Sequence, residues 1–333
     1  MRCSRRQTLR AVGLSLAFVM LAACSGAPKP AALGTRLRLQ QVKMINYYPS
    51  RHPWAAMWTH WDASTLDHDF GVIAGLHANS VRLILQPDAF GFPAPTVEML
   101  HRLSTTVDLA AKHGLHVQLT LFDLWSRYVD LAGSEGWARA IIAPFRSDKR
   151  VQSIELKNEV DGSDEVATRW ATRMIPFVRD VVGDVPITIS SLSAVANLAK
   201  LKRALATSPP DFFSFHYYGT AAVAVSFLRL ARDVVAPTPL VVGETGFASG
   251  SQSPGAPPDR LSELAQRDFI EAVERAAAQL GLPPAAPWQL EDLAAGTAAP
   301  QSPLAEYHFG LFRTDGSAKP AAIWLRAYFA ARM

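Results

Sequence analysis

Residues 80 to 122 read SVRLILQPDAFGFPAPTVEMLHRLSTTVDLAAKHGLHVQLTLF, and the architecture of the whole chain can be worked out from this segment. Ser80–Leu85 and His116–Phe122 are short β-rich runs, and residues 97–113 between them have the apolar spacing of an amphipathic helix. Gly114, directly after a Lys-His pair, is a typical signal for the end of a helix. Strand, helix and strand in this order predict two parallel strands joined by a helix.

The same alternation extends in both directions along the chain. Further strands are predicted at Gln41–Tyr47, Val151–Glu159, Pro186–Leu192, Phe212–Tyr218, Leu240–Glu244 and Pro287–Leu290. Further helices are predicted near residues 65–77, 135–146, 165–182, 196–206, 221–235, 260–280 and 319–331. Eight strand and helix units in about 290 residues predict an α/β fold, a single (β/α)8 TIM barrel. A doubly wound open sheet is the alternative, but no glycine-rich phosphate loop follows the first strand.

The positive charge of the chain is concentrated at its N-terminus. The 333 residues include 33 Lys and Arg against 29 Asp and Glu, a formal net charge of +4. No acidic residue lies in residues 1–23, whose apolar run follows Arg2, Arg5, Arg6 and Arg10. The rest of the chain is therefore neutral, which argues against nucleic-acid binding because that needs a clustered basic surface. Residues 1–23 are predicted to be an export signal peptide.

Leu21-Ala22-Ala23-Cys24 resembles a bacterial lipobox, in which the cysteine becomes the lipidated first residue of the mature protein. Cys3 is the only other cysteine, so removal of the signal leaves no pair for an internal disulfide. Residues 24–38 are predicted to be a flexible tether to a barrel at 39–333, and Arg5-Arg6 resembles a twin-arginine export signal. We therefore expect an exported lipoprotein, anchored through Cys24 to a membrane of the bacterial cell envelope. An ordinary cleaved signal peptide is the alternative.

Aromatic residues are frequent after the predicted strands, on the face of a barrel where active sites lie. Tyr47 ends the first strand, Trp125 follows the third and Trp288 lies in the eighth. Flat rings beside carboxylates suit a sugar, whose C–H groups stack on a ring while its hydroxyls need polar partners. The first loop contains three tryptophans, Trp54, Trp58 and Trp61. For these three, the alternative is that they pack only on one another.

Two glutamates at predicted strand ends carry the chemical hypothesis. Glu159 ends the fourth strand and Glu244 the seventh, and closure of a barrel brings these ends to face each other. Glycoside hydrolysis needs one carboxyl group to protonate the leaving oxygen and a second to attack the anomeric carbon or to activate water. The second strand contains Arg82, and Asn158 and Tyr218 lie at strand ends of the same face. This joint placement favours a glycosidase over two surface carboxylates.

Six short motifs resemble those of the clan A glycoside hydrolases, with the cellulase-like family 5 nearest. They occur in family order at matching strand ends and span about residues 40–325. The motifs are Ile45-Asn46-Tyr47-Tyr48-Pro49, Ala78-Asn79-Ser80-Val81-Arg82, Leu156-Lys157-Asn158-Glu159, Phe215-His216-Tyr217-Tyr218, Gly243-Glu244-Thr245-Gly246 and Gly310-Leu311-Phe312-Arg313-Thr314-Asp315-Gly316.

The resemblance implies a retaining hydrolase of a β-linked glycan, with Glu244 as nucleophile and Glu159 as general acid/base. Arg82 would favour the Glu244 anion, whereas Glu159 would need a raised pKa. By the same resemblance, the substrate-binding and supporting residues are Arg82, Asn158 (to the 2-hydroxyl), His216 (orienting Glu159 or binding a hydroxyl), Tyr218 (donating to Glu244), Trp288 (the floor beneath the sugar), Asp123, Tyr47 and Trp125.

Two positions depart from the family pattern. Val160 follows the acid/base where the family usually has proline, and Phe122-Asp123 ends the third strand where histidine is common. Asp123 is thus either a hydroxyl-binding carboxylate or the N-terminal cap of the following segment. Glu155 and Lys157 share one face of the fourth strand and are predicted to form an ion pair inside the barrel.

Other chemistries lack their motifs in this sequence. It has no His-Glu-x-x-His motif, no cysteine pair for zinc and no Walker loop, so neither a metal nor a cofactor is expected. The expected partner is a carbohydrate substrate, and the expected state is a monomer. The alternative function is a non-catalytic glycan-binding or envelope-assembly lipoprotein on the same barrel, although a binding module has no need of both glutamates.

Overall fold

Seven parallel strands form the centre of the computed structural model, which describes residues 33, 35–191, 194–250, 260–297 and 304–332. The strands pair in sequence order and are buried along their whole length. They are β1 Met44–Asn46, β2 Ser80–Ile84, β3 His116–Thr120, β4 Val151–Glu155, β5 Ile187–Ser191, β6 Phe212–Tyr217 and β7 Leu240–Thr245. The predicted α/β class is confirmed. The signal peptide predicted at 1–23 and the lipidation site Cys24 lie outside the described residues.

The eighth strand predicted at Pro287–Leu290 does not form, so the described residues make a near-barrel of seven strands instead of the predicted eight. Pro287 has no N–H to donate to a neighbouring strand, and it makes only an isolated bridge with Thr245. The segment still bonds to both edges of the sheet. The Trp288 N–H donates to the Thr245 carbonyl (2.8 Å), and the Asn46 N–H donates to the Pro287 carbonyl (3.1 Å). An irregular segment therefore bridges β7 and β1.

Helices follow the strands along the chain, and all eight predicted helices form. Two further helices, α1 and α3, have four residues each. The helices in the described residues are α1 Ala56–Thr59, α2 Ala63–Gly75, α3 Pro87–Phe90, α4 Val97–Lys112, α5 Leu131–Ile142, α6 Glu165–Val182, α7 Val195–Ala204, α8 Ala224–Val235, α9 Arg260–Gln279 and α10 Pro320–Ala330.

Helix α6 shows why these segments are helical. Asp164 caps its N-terminus, where the carboxylate accepts two backbone N–H groups of the first turn (2.8 and 3.0 Å). Trp170, Met174 and Val178 recur every four residues and are buried in the core, which is the pattern of a helix with one face on a sheet. Gly183 ends the helix with φ of +73°, a conformation that glycine adopts without steric cost.

The segment before β1 is fixed across the end of the barrel where the strands begin. Arg36 donates to the carbonyls of Val151 (2.8 Å) and Asp148 (3.0 Å) at the start of β4. Leu37 and Gln152 exchange two further hydrogen bonds (3.0 and 2.9 Å). The chain thus enters the barrel at the end opposite the loops that follow the strands. Among the described helices, none combines the length and the apolarity of a membrane span.

Candidate active site

A cavity of about 370 Å³ opens where the strands end. This is the face on which parallel α/β barrels build active sites. Carboxylates and aromatic rings make up most of its wall, which consists of Tyr48, Trp54, Ile84, Asp123, Leu124, Asn158, Glu159, Tyr218, Glu244, Trp288, Ala305, Glu306 and Phe309. Both predicted catalytic glutamates therefore line one cavity.

Arg82 on β2 organises the floor of this cavity. Asn46 lies beside it in the parallel register of β1 and β2, and its Oδ1 accepts from Arg82 Nη1 at 3.0 Å. The fully buried guanidinium also pairs with Glu155 (Nε to Oε2, 2.6 Å), donates to Asn158 Oδ1 (2.8 Å) and contacts Glu244. A guanidinium presents five donors in a fixed fork, so Arg82 can hold several partners in place at once. The contact expected between Arg82 and Glu244 is present.

A β-bulge sets His216 against Glu244. The pairing of β6 with β7 shifts between residues 215 and 216, so that Gly243 is the extra residue and His216 lies opposite Glu244. A Cβ at Gly243 would lie 1.9 Å from Ser214 Oγ, so any larger residue there would force the Ser214 side chain to move. A shift of one residue turns every side chain of a strand to the other face, so the bulge directs Glu244 into the cavity.

Glu159 follows β4 in an unusual backbone conformation. The strand ends at Glu155, earlier than predicted, and Glu159 has φ of +46°, which is rare for a residue other than glycine. The Glu159 N–H donates to Ser190 Oγ (2.8 Å) and the Val160 N–H to the Ser190 carbonyl (2.9 Å). These bonds tie the segment to β5. The Glu159 carboxylate faces His216, whose Nδ1 lies 2.9 Å from Oε1.

His216 lies between the two glutamates. Its Nδ1 is 2.9 Å from Glu159 Oε1 and 3.3 Å from Glu244 Oε2. One oxygen of each glutamate and a ring nitrogen of His216 all lie within 4.8 Å of one another. The Tyr218 hydroxyl donates to Glu244 Oε2 at 2.9 Å. Because the side chain of Glu244 is 7% exposed and that of Glu159 is 34% exposed, Glu244 is fixed at the floor and Glu159 faces open space.

The pKa values of these three groups are coupled. Burial lowers the pKa of His216, but Glu244 and the hydrogen-bonded Glu159 outweigh it, so the pKa is raised. Burial raises the pKa of Glu244 against the effect of His216 and Arg82. Burial also acts to raise the pKa of Glu159, but the hydrogen bond and charge of His216 lower it. The raised pKa expected at Glu159 is thus wrong for the free protein, because the more deeply buried Glu244 has it instead.

Asp123 belongs to the cavity wall and does not cap a helix. Its Oδ2 accepts from Gln86 Nε2 (2.8 Å) and its Oδ1 from Asn158 Nδ2 (3.1 Å), whereas Asp130 caps the following helix α5. Gln86 also donates to the Tyr48 hydroxyl at 3.1 Å. Sequence reasoning missed Gln86, which donates to Asp123, and Tyr48, which lines the cavity.

Tyr47 and Trp125 do not reach the cavity, contrary to expectation. The Tyr47 hydroxyl donates to Asp69 Oδ2 of α2 at 2.7 Å in the core. Tyr47 and Tyr48 point in opposite directions, as successive residues of an extended chain do, and Tyr48 takes the place in the wall. Trp125 is 3% exposed and packs on Phe92, with ring centroids 4.2 Å apart.

The ion pair predicted between Glu155 and Lys157 is not formed. Glu155 pairs with Arg82 instead, and Lys157 Nζ donates to the Phe122 carbonyl at 3.0 Å. Burial lowers the pKa of Lys157 to about 8. The alternation of a strand does not extend beyond Glu155, so the two side chains do not share a face as a regular β4 would require.

The tryptophans of the first loop do not pack only on one another. Trp54 lines the cavity. The indole N–H of Trp58 donates to the Ile84 carbonyl (2.9 Å), and that of Trp61 donates to Thr106 Oγ1 (3.0 Å). Only the first of the three is thus available to a ligand in the cavity.

Glu306 is a carboxylate of the cavity wall that sequence reasoning did not find. It lies in the short 3-10 helix Leu304–His308, where no strand or helix periodicity points to it. Its Oε2 accepts from the indole N–H of Trp288 at 3.0 Å. Burial raises the pKa of Glu306 despite this bond, and the charges of Glu244 and Glu159 raise it further. Trp288 itself packs edge-on against Tyr48, with centroids 5.7 Å apart.

No protein-family model and no curated protein sequence matches this chain. Solved structures do match it. An exo-β-1,4-mannosidase from Opitutaceae bacterium strain TAV5 aligns over 86% of this chain at 20% identity and a TM-score of 0.68, and the chain spans 59% of that enzyme's length. A GH5_18 protein from Streptomyces cattleya in complex with Manβ1-4GlcNAc aligns over 87% of this chain and 80% of its own, at 20% identity and a TM-score of 0.69.

The chain has the fold of the clan A glycoside hydrolases. That fold also includes the GH2 β-galacturonidase from Eisenbergiella tayi, solved with bound galacturonate, which aligns over 90% of this chain and 52% of its own at 15% identity and a TM-score of 0.66. The resemblance seen in the sequence motifs is thus confirmed at the level of the fold. Because one fold hosts neutral and acidic substrates, the choice of substrate has to be argued from the side chains of the cavity.

Proposed function

We propose that this protein is a retaining glycoside hydrolase that cleaves a β-linked oligosaccharide or polysaccharide by double displacement. The observation that carries the proposal is the separation of the two glutamates, whose nearest oxygens lie within 4.8 Å at the floor of one cavity. Retaining glycosidases hold their carboxyl groups roughly 5–5.5 Å apart, whereas inverting enzymes need roughly 6.5–9.5 Å to admit a water between them.

Glu244 is the nucleophile of this proposal. Arg82, Tyr218 and His216 all contact its carboxylate, which fixes its orientation and stabilises its charge. One oxygen attacks the anomeric carbon and displaces the leaving-group oxygen, which takes a proton from Glu159. Water then attacks the glycosyl ester, Glu159 accepts a proton from that water, and Glu244 leaves as the carboxylate.

His216 governs the protonation of this pair. It contacts both glutamates through Nδ1 and can stabilise either anion as the proton moves. When a sugar covers Glu159, the partly exposed carboxylate loses its water, and its pKa rises toward the value that a general acid needs. Because the three groups are coupled, the pH dependence of turnover reports the trio and not a single residue.

The first substrates to test are aryl β-mannosides and β-1,4-mannosyl oligosaccharides, because similar structures include an exo-β-1,4-mannosidase and a complex with Manβ1-4GlcNAc. Aryl β-glucosides and β-galactosides complete the panel. For any glycoside that is cleaved, proton NMR should show first product with the β configuration, because two inversions restore the original stereochemistry. A first product with the α configuration would contradict double displacement.

Glu244→Ala should abolish turnover while the fold is retained, since Glu244 is the carboxylate that Arg82, Tyr218 and His216 orient for the covalent step. Glu159→Ala should lose about 10²- to 10⁴-fold on poor leaving groups and less on 4-nitrophenol, which leaves without a proton. Glu165→Gln, at a position 85% exposed on α6, is the matched control. Unchanged turnover in Glu244→Ala would remove it from the mechanism. If the panel is bound but not cleaved by the wild type, the protein is a glycan-binding module.

We also propose that the protein is exported and anchored to a membrane of the cell envelope by a lipid on Cys24. The support is the sequence Leu21-Ala22-Ala23-Cys24 behind a basic and apolar leader. Expression of the full chain in a bacterial host with a radiolabelled fatty acid should label the wild type and leave Cys24→Ala unlabelled. Equal labelling of the two proteins would contradict the anchor.

A further inference from the structure

Glu306 adds a further carboxylate to the wall of the cavity that holds the two catalytic glutamates. Its Oε2 is occupied by the indole N–H of Trp288, whereas Oε1 has no hydrogen-bond partner in the described part of the chain. The residue lines the cavity together with its neighbours Ala305 and Phe309. A carboxylate that keeps one oxygen unpaired in a partly dry wall gains a hydrogen bond when a donor group enters.

The wall of the cavity as a whole is acidic. Four carboxylates line it, and no Lys or Arg does so among the described residues: the four are Asp123, Glu159, Glu244 and Glu306. The internal segments outside the described residues, 192–193, 251–259 and 298–303, contain no Lys or Arg in their sequence. They therefore cannot supply a missing cation.

The cations near the cavity are already engaged by the protein. Arg82 is fully buried and donates to Glu155, Asn158 and other protein groups. Lys157 is 6% exposed and donates to the Phe122 carbonyl at 3.0 Å. A sugar carboxylate entering the cavity would thus meet several anions and no available ion-pair partner. Such repulsion is an effective way to reject one substrate while a close analogue is accepted.

We propose that Glu306 is a specificity-determining residue, whose free oxygen accepts a hydrogen bond from a hydroxyl of the bound sugar and which makes the cavity reject uronic acids in favour of the matching uncharged sugars. This inference rests on the proposed function, since it assigns the substrate class of the same site. It separates the protein from the β-galacturonidase that shares its fold. Glu306 supplies the hydrogen-bonding oxygen, and the carboxylates of Asp123, Glu159 and Glu244 add to the repulsion of a sugar carboxylate.

The test compares matched pairs of 4-nitrophenyl β-glycosides that differ only in the C6 group, such as glucoside with glucuronide and galactoside with galacturonide. We expect the wild type to favour the uncharged member by at least about 10²-fold in kcat/KM. Glu306→Gln should lose about tenfold on the uncharged member, the effect of a weakened charged hydrogen bond. It should also reduce the ratio of kcat/KM between the uncharged and the charged member at least tenfold, because one repelling charge is removed.

Glu306→Gln separates this role from a structural one. Its amide oxygen can still accept from the indole N–H of Trp288. If Glu306 only positions Trp288, the ratio of kcat/KM between uncharged and charged substrates should therefore stay unchanged in Glu306→Gln, and that result would overturn the proposal. Glu306→Ala should lose both the hydrogen bond to Trp288 and the one to the sugar. Its loss of kcat/KM on the uncharged member should therefore be larger than that of Glu306→Gln. Glu98→Gln, 66% exposed on α4, should behave as the wild type.

Calorimetric titration of the same sugars keeps the inference independent of turnover. If the wild type binds uncharged sugars and rejects uronic acids, and Glu306→Gln narrows that preference, the assignment of Glu306 holds even where no glycoside is cleaved. Absence of cleavage with this binding pattern would contradict only the proposed hydrolysis. Equal binding of the charged and uncharged members by the wild type would overturn the inference about Glu306, whatever the enzymatic result.

Discussion

Two clusters of buried charge in this barrel differ in how completely the protein satisfies them. In the Lys319 cluster, Lys319 Nζ donates to Asp292 Oδ1 (2.6 Å), Ser249 Oγ (2.8 Å) and the His308 carbonyl (3.4 Å). One cation faces one carboxylate, and all three ammonium protons have partners. The Arg82 cluster consists of Arg82 with Glu155, Glu244, Asn46 and Asn158. There one guanidinium faces two carboxylates, and part of the cluster opens on the cavity.

The difference separates a structural cluster from a chemical one. The Lys319 cluster joins the loop after β7 to the segments around 292 and 308, and it is complete without a ligand. The Arg82 cluster remains short of positive charge, and it borders Glu159 and His216, whose pKa values respond to the charge of Arg82. Burial of unbalanced charge costs stability, so buried charge of this kind is typical of functional sites, where the charged groups take part in the chemistry.

Arg82→Met should have the largest effect, because it damages both stability and chemistry. Glu155 and Glu244 would lose their buried cation, which costs on the order of 3–5 kcal/mol. The folded fraction should also lose about 10³-fold in kcat/KM, since Glu244 is no longer oriented or kept anionic. Urea denaturation and kinetics corrected for the folded fraction measure the two losses. Wild-type turnover in a folded Arg82→Met protein would contradict the role given to this cluster.

Lys319→Met should lose stability alone. Asp292 would keep a buried charge without its cation, at a cost of about 3–5 kcal/mol, while the catalytic cavity keeps all its groups. We expect kcat/KM per folded molecule to stay within about twofold of the wild type. The double variant Lys319→Met with Asp292→Asn should recover part of the stability, because the orphaned charge is removed. A large loss of kcat/KM without unfolding would erase the distinction between the two clusters.

Glu274 on α9 is a buried carboxyl group that forms no ion pair among the described residues and is influenced only by the more distant charge of Arg332, so its substitution should have the smallest effect. Burial raises the pKa of Glu274 to about 8. Its proton is therefore bound more tightly in the folded than in the unfolded protein. The stability this provides is full below the unfolded pKa and is lost as the pH rises through about 8. Thermal unfolding between pH 5 and 9 should show a loss of about 1–3 kcal/mol that Glu274→Gln reduces. If the stability of the wild type and of Glu274→Gln changes with pH in parallel, the raised pKa of Glu274 would be contradicted.

The sequence was sufficient for the parts of the site that a regular strand positions. Arg82 lies within β2, and the register that pairs Asn46 with Arg82 follows from parallel β1 and β2. The choice between Tyr47 and Tyr48 could also have been made from the alternation of side chains, since Asn46 points inward and Tyr48 is the next residue on that side.

Other parts of the site depend on departures from regular structure. The bulge at Gly243 and the positive φ of Glu159 each re-aim a catalytic side chain, and neither leaves a periodic pattern in the sequence. Glu306 lies in a long irregular connection, where spacing carries no information about direction. The order of the pKa values depends on which carboxylate is more deeply buried, which only the packed structure determines.

The bonds of Arg36 and Leu37 across the start of β4 have a practical consequence for surface display. A support coupled directly at Arg36 or Leu37 would lie on the side of the barrel away from the cavity, so the mouth would be left unobstructed. A resin or particle coupled at this point should therefore present an oriented catalyst to long polymers in solution. Coupling through exposed residues of the loops after the strands would place the support in the path of the incoming polymer.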